Sequence, residues 1–152
     1  MSSGPAGVAP GSGAYVTHDH GVYARLFPGA RGTAGAPALR PALELWAQVL
    51  SRPEPGLALL LAGRRDAGFD AGLPVPLRAL RRDGSRPGAD GWRVTELNDQ
   101  HAYLRLPEDA ALAPGDLVGL GISHPCTTLD KWRVLLVLND DDRVIDAVHS
   151  FF

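Results

Sequence analysis

The sequence predicts a single, mainly β domain, built as a compact barrel or sandwich. Its apolar residues occur in short runs or alternate with polar residues, and Gly, Pro or acidic turn signals separate these runs. No stretch has a clear helical period. With 152 residues, of which 45% are hydrophobic and 21% charged, the chain also has the size and composition of one ordinary globular domain.

In the first half of this domain, the sequence predicts two strands and a long loop. Residues 42–51 (ALELWAQVLS) alternate apolar side chains with Glu44 and Gln48, and the RPEPG that follows turns the chain. The run LALLLA at 57–62 is short and wholly apolar, which is typical of a buried strand. GFDAGLPVP contains two glycines and two prolines, and it introduces a loop that ends near Gly91.

The second half predicts two hairpins and a strand between them. WRVTELN (92–98) and HAYLRLP (101–107) alternate well enough for the first hairpin, with its turn at 98–100. LVGLGI (117–122) is the strand between the hairpins. WRVLLVL (132–138) and RVIDAVHSFF (143–152) follow, joined by the tight acidic turn NDDD. The total is about six or seven strands.

The N-terminal part of the chain has a different composition. Residues 1–13 are rich in Gly, Ser, Ala and Pro, and we expect a disordered leader because they bury too little apolar area to offset their conformational entropy. The domain then extends over 14–152. It opens with a short strand-like run in AYVTHDHGVYARLF, and the Gly- and Pro-rich segment 28–41 predicts an exposed loop.

Charge and hydropathy exclude several classes of function. The net charge is −2, so the protein has no basic field to hold a nucleic acid backbone. The sequence contains neither a run of about 20 apolar residues that could span a membrane nor the regions of a signal peptide. We therefore expect a cytoplasmic protein that binds neither nucleic acid nor membrane. Its single cysteine, Cys126, cannot form an internal disulfide.

The segment SHPCTT at 123–128 carries the sharpest chemical signal. His124 and Cys126 flank a proline, and on extended backbone the two side chains would point to the same face. Imidazole and thiolate suit zinc, and two protein ligands leave coordination positions open for water or substrate. The alternative is a buried cysteine beside a hydrogen-bonded histidine at the rim, and the spacing alone leaves both interpretations open.

Two further polar clusters are weaker signals. In THDH (17–20), His18 and His20 would share an extended face with Asp19 on the other, so they could bind a metal, act as acid and base, or form a polar surface turn. Arg64, Arg65 and Asp66 follow the apolar run at 57–62 and could grip an anion or form local ion pairs.

Several segments together resemble the C-terminal domain of the D-serine dehydratase and D-threonine aldolase family. They occur in the family's order and cover most of residues 11–152, with SHPCTTLDKW as the most specific. The segments are GSGAYVTHDHGVYARL, AGRRDAGFDAGLPVP, LNDQHAYLRL, PGDLVGLGISHPCTTLDKWRVLLVL and VIDAVHSFF.

The resemblance implies a pyridoxal-phosphate lyase that acts on a D-amino acid. Such enzymes have an alanine racemase-like fold, in which an N-terminal (β/α) barrel supplies the cofactor lysine and a β-rich C-terminal domain supplies a divalent metal. His124 and Cys126 match the metal-ligand motif, and the cysteine favours zinc over manganese. His18 and Asp19 are candidate substrate-site residues. The barrel is missing from this chain, and Lys131, the only lysine, is not a substitute because it belongs to the metal-motif segment.

Three hypotheses follow from these signals. The first is the metal-bearing domain of such a lyase, inactive without a barrel that a separate chain could supply. The second is a non-catalytic relic or partner-binding β-domain. The third is a stand-alone metalloenzyme in which a histidine of THDH joins His124 and Cys126. Because a face that would pack on the barrel should be exposed, we also expect a homodimer or a monomer prone to aggregation.

Overall fold

The computed structural model describes residues 17–26 and 40–151. Two short helices and eight strands lie within these residues, so the predicted mainly β class is confirmed. The helices are α1 (Val22–Leu26) and α2 (Pro125–Leu129). The strands are β1 (Glu44–Glu54), β2 (Leu57–Leu60), β3 (Val75–Leu80), β4 (Arg93–Leu97), β5 (Ala102–Arg105), β6 (Leu117–Gly121), β7 (Val134–Leu138) and β8 (Val144–His149).

Six of the strands form one curled antiparallel sheet in the order β3-β6-β1-β2-β5-β4. The two edge strands, β3 and β4, come into contact although they are not neighbours in the hydrogen-bonded order. The sheet therefore closes on itself far enough to form a half-barrel. Strands β7 and β8 form a separate two-stranded antiparallel sheet.

The core fills the concave side of the half-barrel. Ala47 and Val49 of β1 alternate with the exposed Gln48 and Leu50, as the sequence pattern predicts. Strand β2 is almost wholly buried, which confirms the prediction for the apolar run LALLLA. Further fully buried aliphatic residues come from β2 (Leu60), β5 (Leu104) and β6 (Val118 and Leu120).

The predicted strands are confirmed with shifted bounds, and one strand was missed. Strand β1 continues through Pro53 to Glu54, so the turn before β2 is shorter than RPEPG suggests. The hairpin β4–β5 and the NDDD turn between β7 and β8 are both present. Strand β3 lies inside the segment that we interpreted as a loop. Pro74, just before the strand, and Pro76, within it, hide the pattern, although β3 is an edge strand, where proline is tolerated.

The outer face of β6 carries two glycines that make room for large side chains. A Cβ on Gly119 would lie 3.2 Å from the Trp46 indole, and one on Gly121 would lie 2.4 Å from the His20 ring. Trp46 and Arg78 flank Gly119 across the sheet, and the Arg78 guanidinium lies 4.9 Å from the centre of the Trp46 ring. The residues before α1 thus pack on the outside of the sheet, where the His20 N–H donates to the Ile122 carbonyl.

The β7–β8 hairpin is joined to this face by charge. Arg78 forms ion pairs with Glu44 at 2.9 Å and with Asp142, in the hairpin turn, at 3.1 Å. Arg86 reaches the same Asp142 carboxylate at 3.0 Å. The hairpin itself is largely exposed, and several of its large apolar side chains are open to solvent: Val134, Leu136, Leu138, Val144, Ile145 and Val148.

The predicted leader at 1–13, the strand-like run around Tyr15 and most of the predicted loop at 28–41 lie outside the described residues. The segment after THDH is the helix α1. No helix within the described part of the chain is long and apolar enough to cross a membrane.

Truncation of Leu104 to alanine should destabilise the domain by about 2 to 5 kcal/mol, because the side chain is fully buried and would leave a cavity. Leu136→Ala is the matched control, since Leu136 lies on the hairpin with 61% of its surface exposed, and its effect should stay within about 0.5 kcal/mol. Urea unfolding of both variants measures the difference. Equal losses would show that the core does not lie where the structure places it.

His20 should make the fold less stable as the pH falls. Burial lowers the pKa of His20 below its ordinary value of 6.5, and its buried Nδ1 has no hydrogen-bond partner among the described residues. The unfolded chain therefore takes up a proton at a pH at which the folded chain does not, so the free energy of unfolding decreases as the pH falls below 6.5. The neutral variant His20→Asn should lose less stability than the wild type between about pH 7.5 and about pH 5.5.

The measurement is the urea midpoint of each protein at the two pH values. His149→Asn, which removes an exposed histidine from β8, serves as control and should behave like the wild type. An identical pH dependence in the wild type and in His20→Asn would contradict the prediction.

Candidate metal and substrate site

The segment that carries His124 and Cys126 begins where β6 ends. Ile122 and Ser123 continue β6 into the buried interior, and His124 has extended backbone before α2 begins at Pro125. Proline at the first position of a helix is favourable because its fixed φ suits the helix and its missing N–H would have no partner there. Cys126 therefore lies in the first turn of α2.

This geometry corrects one prediction. We expected His124 and Cys126 to share a face of extended backbone. Only His124 is extended, because Cys126 lies in the helix α2. The two residues nevertheless line the same cleft, which has a volume of ≈ 260 Å³. Cys126 is exposed, so the alternative of a buried structural cysteine is wrong. The other residues that line the cleft are Asp19, Val22, Tyr23, Asp70 and Ala71.

Asp70 is the closest polar partner of His124 and was not singled out from the sequence. His124 Nδ1 lies 2.6 Å from Asp70 Oδ2, and the hydroxyl of Thr127 donates to Asp70 Oδ1 at 2.8 Å. The hydrogen bond with His124, followed by that from Thr127, holds the pKa of Asp70 below the usual range for an aspartate. Asp70 is therefore a carboxylate at neutral pH, with both oxygens engaged.

Residues 66–72 and 123–132 are held together by further hydrogen bonds. The Gly68 N–H donates to the Thr128 hydroxyl at 2.9 Å, and the Ser123 hydroxyl donates to the Gly72 carbonyl at 2.5 Å. The Trp132 indole N–H donates to the Asp66 carbonyl at 2.7 Å. A Cβ on Gly68 would lie 2.2 Å from the Thr127 hydroxyl, so only glycine allows this close approach. The two segments thus form one hydrogen-bonded unit, which contributes Asp70, Ala71, His124 and Cys126 to the cleft.

The predicted substrate-site residues His18 and Asp19 have different positions. Asp19 is fully buried, and its carboxylate accepts hydrogen bonds from the N–H groups of Gly21 at 2.7 Å and Tyr23 at 3.1 Å. It therefore caps α1 and also lines the cleft. His18 is buried but is not among the residues that line the cleft.

The backbone of THDH also differs from the prediction. His18 has φ 51°, in the left-handed region, so His18 and His20 do not share an extended face. The His20 ring packs instead against Gly121 on the outside of the sheet. Among the described residues, no three His, Cys, Asp or Glu side chains form a group that could hold a metal ion. The third ligand that the stand-alone metalloenzyme requires is therefore not found there.

The arginine cluster after β2 is part of a turn. The carboxylate of Asp66 accepts from the Gly63 N–H at 2.7 Å, and Arg65 forms an exposed ion pair with Asp99 at 3.6 Å. The Arg64 guanidinium lies 5.5 Å from the centre of the Phe69 ring. These contacts correspond to the local ion pairing that the sequence left open as an alternative to anion binding.

The donor set fits a divalent metal that is held by few protein ligands. Asp70 occupies Nδ1 of His124, which leaves Nε2 as the ring nitrogen that can bind a metal. Cys126 is exposed on the same cleft, and its thiolate would be the second ligand. Nitrogen and sulfur ligands together suit zinc better than manganese, and the remaining positions would be open to solvent or substrate.

Comparisons with known proteins place this domain. The family described as "Putative serine dehydratase domain" matches residues 42–138. The structure is similar to that of a D-threonine aldolase from Filomicrobium marinum, with 25% identity and a TM-score of 0.63, over 78% of this chain and 30% of the aldolase. This chain thus corresponds to about a third of the length of that enzyme. A comparison with curated proteins finds no match.

A second enzyme shares the fold. D-threo-3-hydroxyaspartate dehydratase from Delftia sp. HT23 matches with 20% identity and a TM-score of 0.52, over 73% of this chain and 33% of that enzyme. Structures of the same dehydratase with a histidine or a cysteine replaced by alanine match as well, and the cysteine variant is in the metal-free form. The family match spans more than half of this chain, which therefore belongs to the serine dehydratase domain family, as the sequence resemblance predicted.

Proposed function

We propose that this chain is the metal-binding C-terminal domain of a pyridoxal-phosphate-dependent D-amino-acid lyase, of the D-serine dehydratase or D-threonine aldolase type. The observation that carries the proposal is the shared cleft of His124 and Cys126, in a domain of this family. An imidazole and a thiolate form half of a tetrahedral zinc site, which leaves room for a substrate to bind the metal directly.

The related structures support the same two residues. In the dehydratase, the replaced histidine and cysteine are two positions apart, which is also the spacing of His124 and Cys126. The structure with the cysteine replaced is metal-free. A histidine and a cysteine at this spacing in a shared fold favour His124 and Cys126 as the metal ligands of this chain.

The chemistry of this site would be that of a Lewis acid. A zinc ion held there would supply polarisation of a substrate oxygen, here the β-hydroxyl of a D-amino acid, and pyridoxal phosphate held by a barrel domain would supply the electron sink. His124 and Cys126 would hold the metal. Asp19 and Tyr23, from the N-terminal segment, line the same cleft and would be the polar residues of that segment near a substrate.

None of the residues that this proposal uses would bind pyridoxal phosphate. Pyridoxal phosphate requires a lysine for its Schiff base, and Lys131 is half-buried beside Asp130, at 3.5 Å, outside the cleft lining. We propose that the lysine and the phosphate-binding groups belong to a barrel domain, which a separate chain could supply. The isolated chain should accordingly turn over neither D-serine nor D-threonine when zinc and pyridoxal phosphate are added, and turnover would contradict this part of the proposal.

A second candidate function is a non-catalytic domain that binds a partner protein. The exposed apolar side chains of the β7–β8 hairpin favour it, because a contiguous exposed apolar patch commonly marks a contact surface. The two candidate functions differ in whether they require a bound metal. A partner-binding relic has no need for a functional pair of ligands at His124 and Cys126.

Elemental analysis of the purified full chain tests the proposal. After incubation with zinc and removal of unbound metal, we expect about one zinc ion per chain in the wild type and almost none in a variant that combines His124→Ala with Cys126→Ala. His149→Ala is the matched control, since it removes an exposed histidine that does not line the cleft, and it should retain the metal. Absence of zinc from the wild type would favour the partner-binding candidate.

A further inference from the structure

We infer that Asp70 is a positioning residue that holds His124 in the tautomer with its proton on Nδ1, so that Nε2 stays free to bind the metal. This inference deepens the proposed function and rests on it for the role of Nε2. The hydrogen bond between Asp70 and His124 does not depend on any metal, so the tautomer is testable in its own right.

The geometry of the carboxylate carries the argument. Asp70 Oδ2 lies 2.6 Å from His124 Nδ1, a distance typical of a charge-assisted hydrogen bond. A carboxylate can only accept, so the hydrogen between these two atoms must belong to the imidazole nitrogen. A neutral imidazole carries a single N–H, and with that hydrogen on Nδ1 the lone pair is on Nε2.

The second oxygen of Asp70 also has a partner within the protein. This oxygen, Oδ1, accepts a hydrogen bond from the Thr127 hydroxyl at 2.8 Å. The Thr127 hydroxyl and the His124 ring are therefore joined through one carboxylate. This arrangement fixes the plane of the carboxylate and, through it, the orientation of the ring.

The backbone around Asp70 is held firmly enough to orient another residue. Gly68, two residues before Asp70, donates its N–H to Thr128, and Gly72, two residues after it, accepts from Ser123. The Thr128 hydroxyl in turn donates to the His124 carbonyl at 3.0 Å. The aspartate and the histidine are thus attached to one hydrogen-bonded unit on both sides. Partners of this kind raise the basicity of a metal-binding histidine and fix its orientation.

The test is a long-range 1H–15N NMR spectrum of the metal-stripped full chain with 15N-labelled histidine, recorded at a pH where the ring is neutral. The His124 signals are assigned by their loss in His124→Ala. In the wild type we expect the tautomer with the proton on Nδ1. In Asp70→Ala the proton should move mainly to Nε2, the form that an unconstrained imidazole prefers. Asp70→Asn should keep the wild-type tautomer, because the amide oxygen still accepts.

Asp83→Ala is the matched control. Asp83 is also an exposed aspartate that accepts from a hydroxyl, that of Ser85 at 2.5 Å, but it lies away from the cleft. This variant should leave the His124 signals unchanged. A wild-type ring with its proton on Nε2, or a tautomer that Asp70→Ala does not change, would overturn the inference without need of any metal.

Cobalt titration of the same proteins then measures the consequence for binding. Loss of an outer-shell partner of this kind weakens metal affinity by about 10- to 100-fold, and we expect a loss of this size in Asp70→Ala but an affinity close to that of the wild type in Asp70→Asn. An equal loss in both variants would identify Asp70 as a ligand and overturn the positioning role. A wild-type chain that binds no cobalt would refute the proposed function, while the NMR result still decides the tautomer.

Discussion

Strand β6 is the constraint on which the rest of the domain depends. It pairs with β1 on one side and β3 on the other, and four of its five residues are buried. Its inner side chains, Val118 and Leu120, belong to the core, whereas its outer positions are Gly119 and Gly121. A side chain at either glycine would displace Trp46 or His20. The same strand therefore closes the core, receives the residues before α1 on its outer face, and delivers Ser123 and His124 to the cleft.

The cleft shows why no single segment of the sequence contains the site. Its ligand candidates follow β6, its positioning aspartate lies in the connection between β2 and β3, and Asp19 comes from the segment before α1. Hydrogen bonds between side chains and backbone join the connection between β2 and β3 to the residues after β6, and the His20 N–H joins the segment before α1 to Ile122. The pair of His124 and Asp70 spans 54 positions of the chain and exists only because the sheet brings the two connections together.

The order of apolar, polar and turn residues along the sequence was enough to predict β1, β2 and the two hairpins. The alternation in β1 and the apolar run of β2 follow directly from which side chains are buried, and the turn signals mark both hairpins. Strand β3 was missed because Pro74 and Pro76 disguise it, and its pairing with β6 depends on a partner more than thirty residues away. The motif His-x-Cys identified the cleft although its backbone was predicted wrongly. Asp70 was invisible, because nothing in GFDAGLPVP indicates which residue its carboxylate would meet.

The cleft offers fewer ligands than a metal site needs, and the β7–β8 hairpin leaves apolar side chains unburied. The cleft offers one imidazole and one thiolate, and Asp70, the nearest further carboxylate, is already engaged by His124 and Thr127. The hairpin is attached to the half-barrel through Asp142, while most of its apolar side chains contact nothing within the described residues that would bury them. On the proposed function, both properties have one explanation. A domain that shares its site with a larger enzyme needs only its own ligands, held in a fixed orientation, and an apolar surface for the remainder to cover.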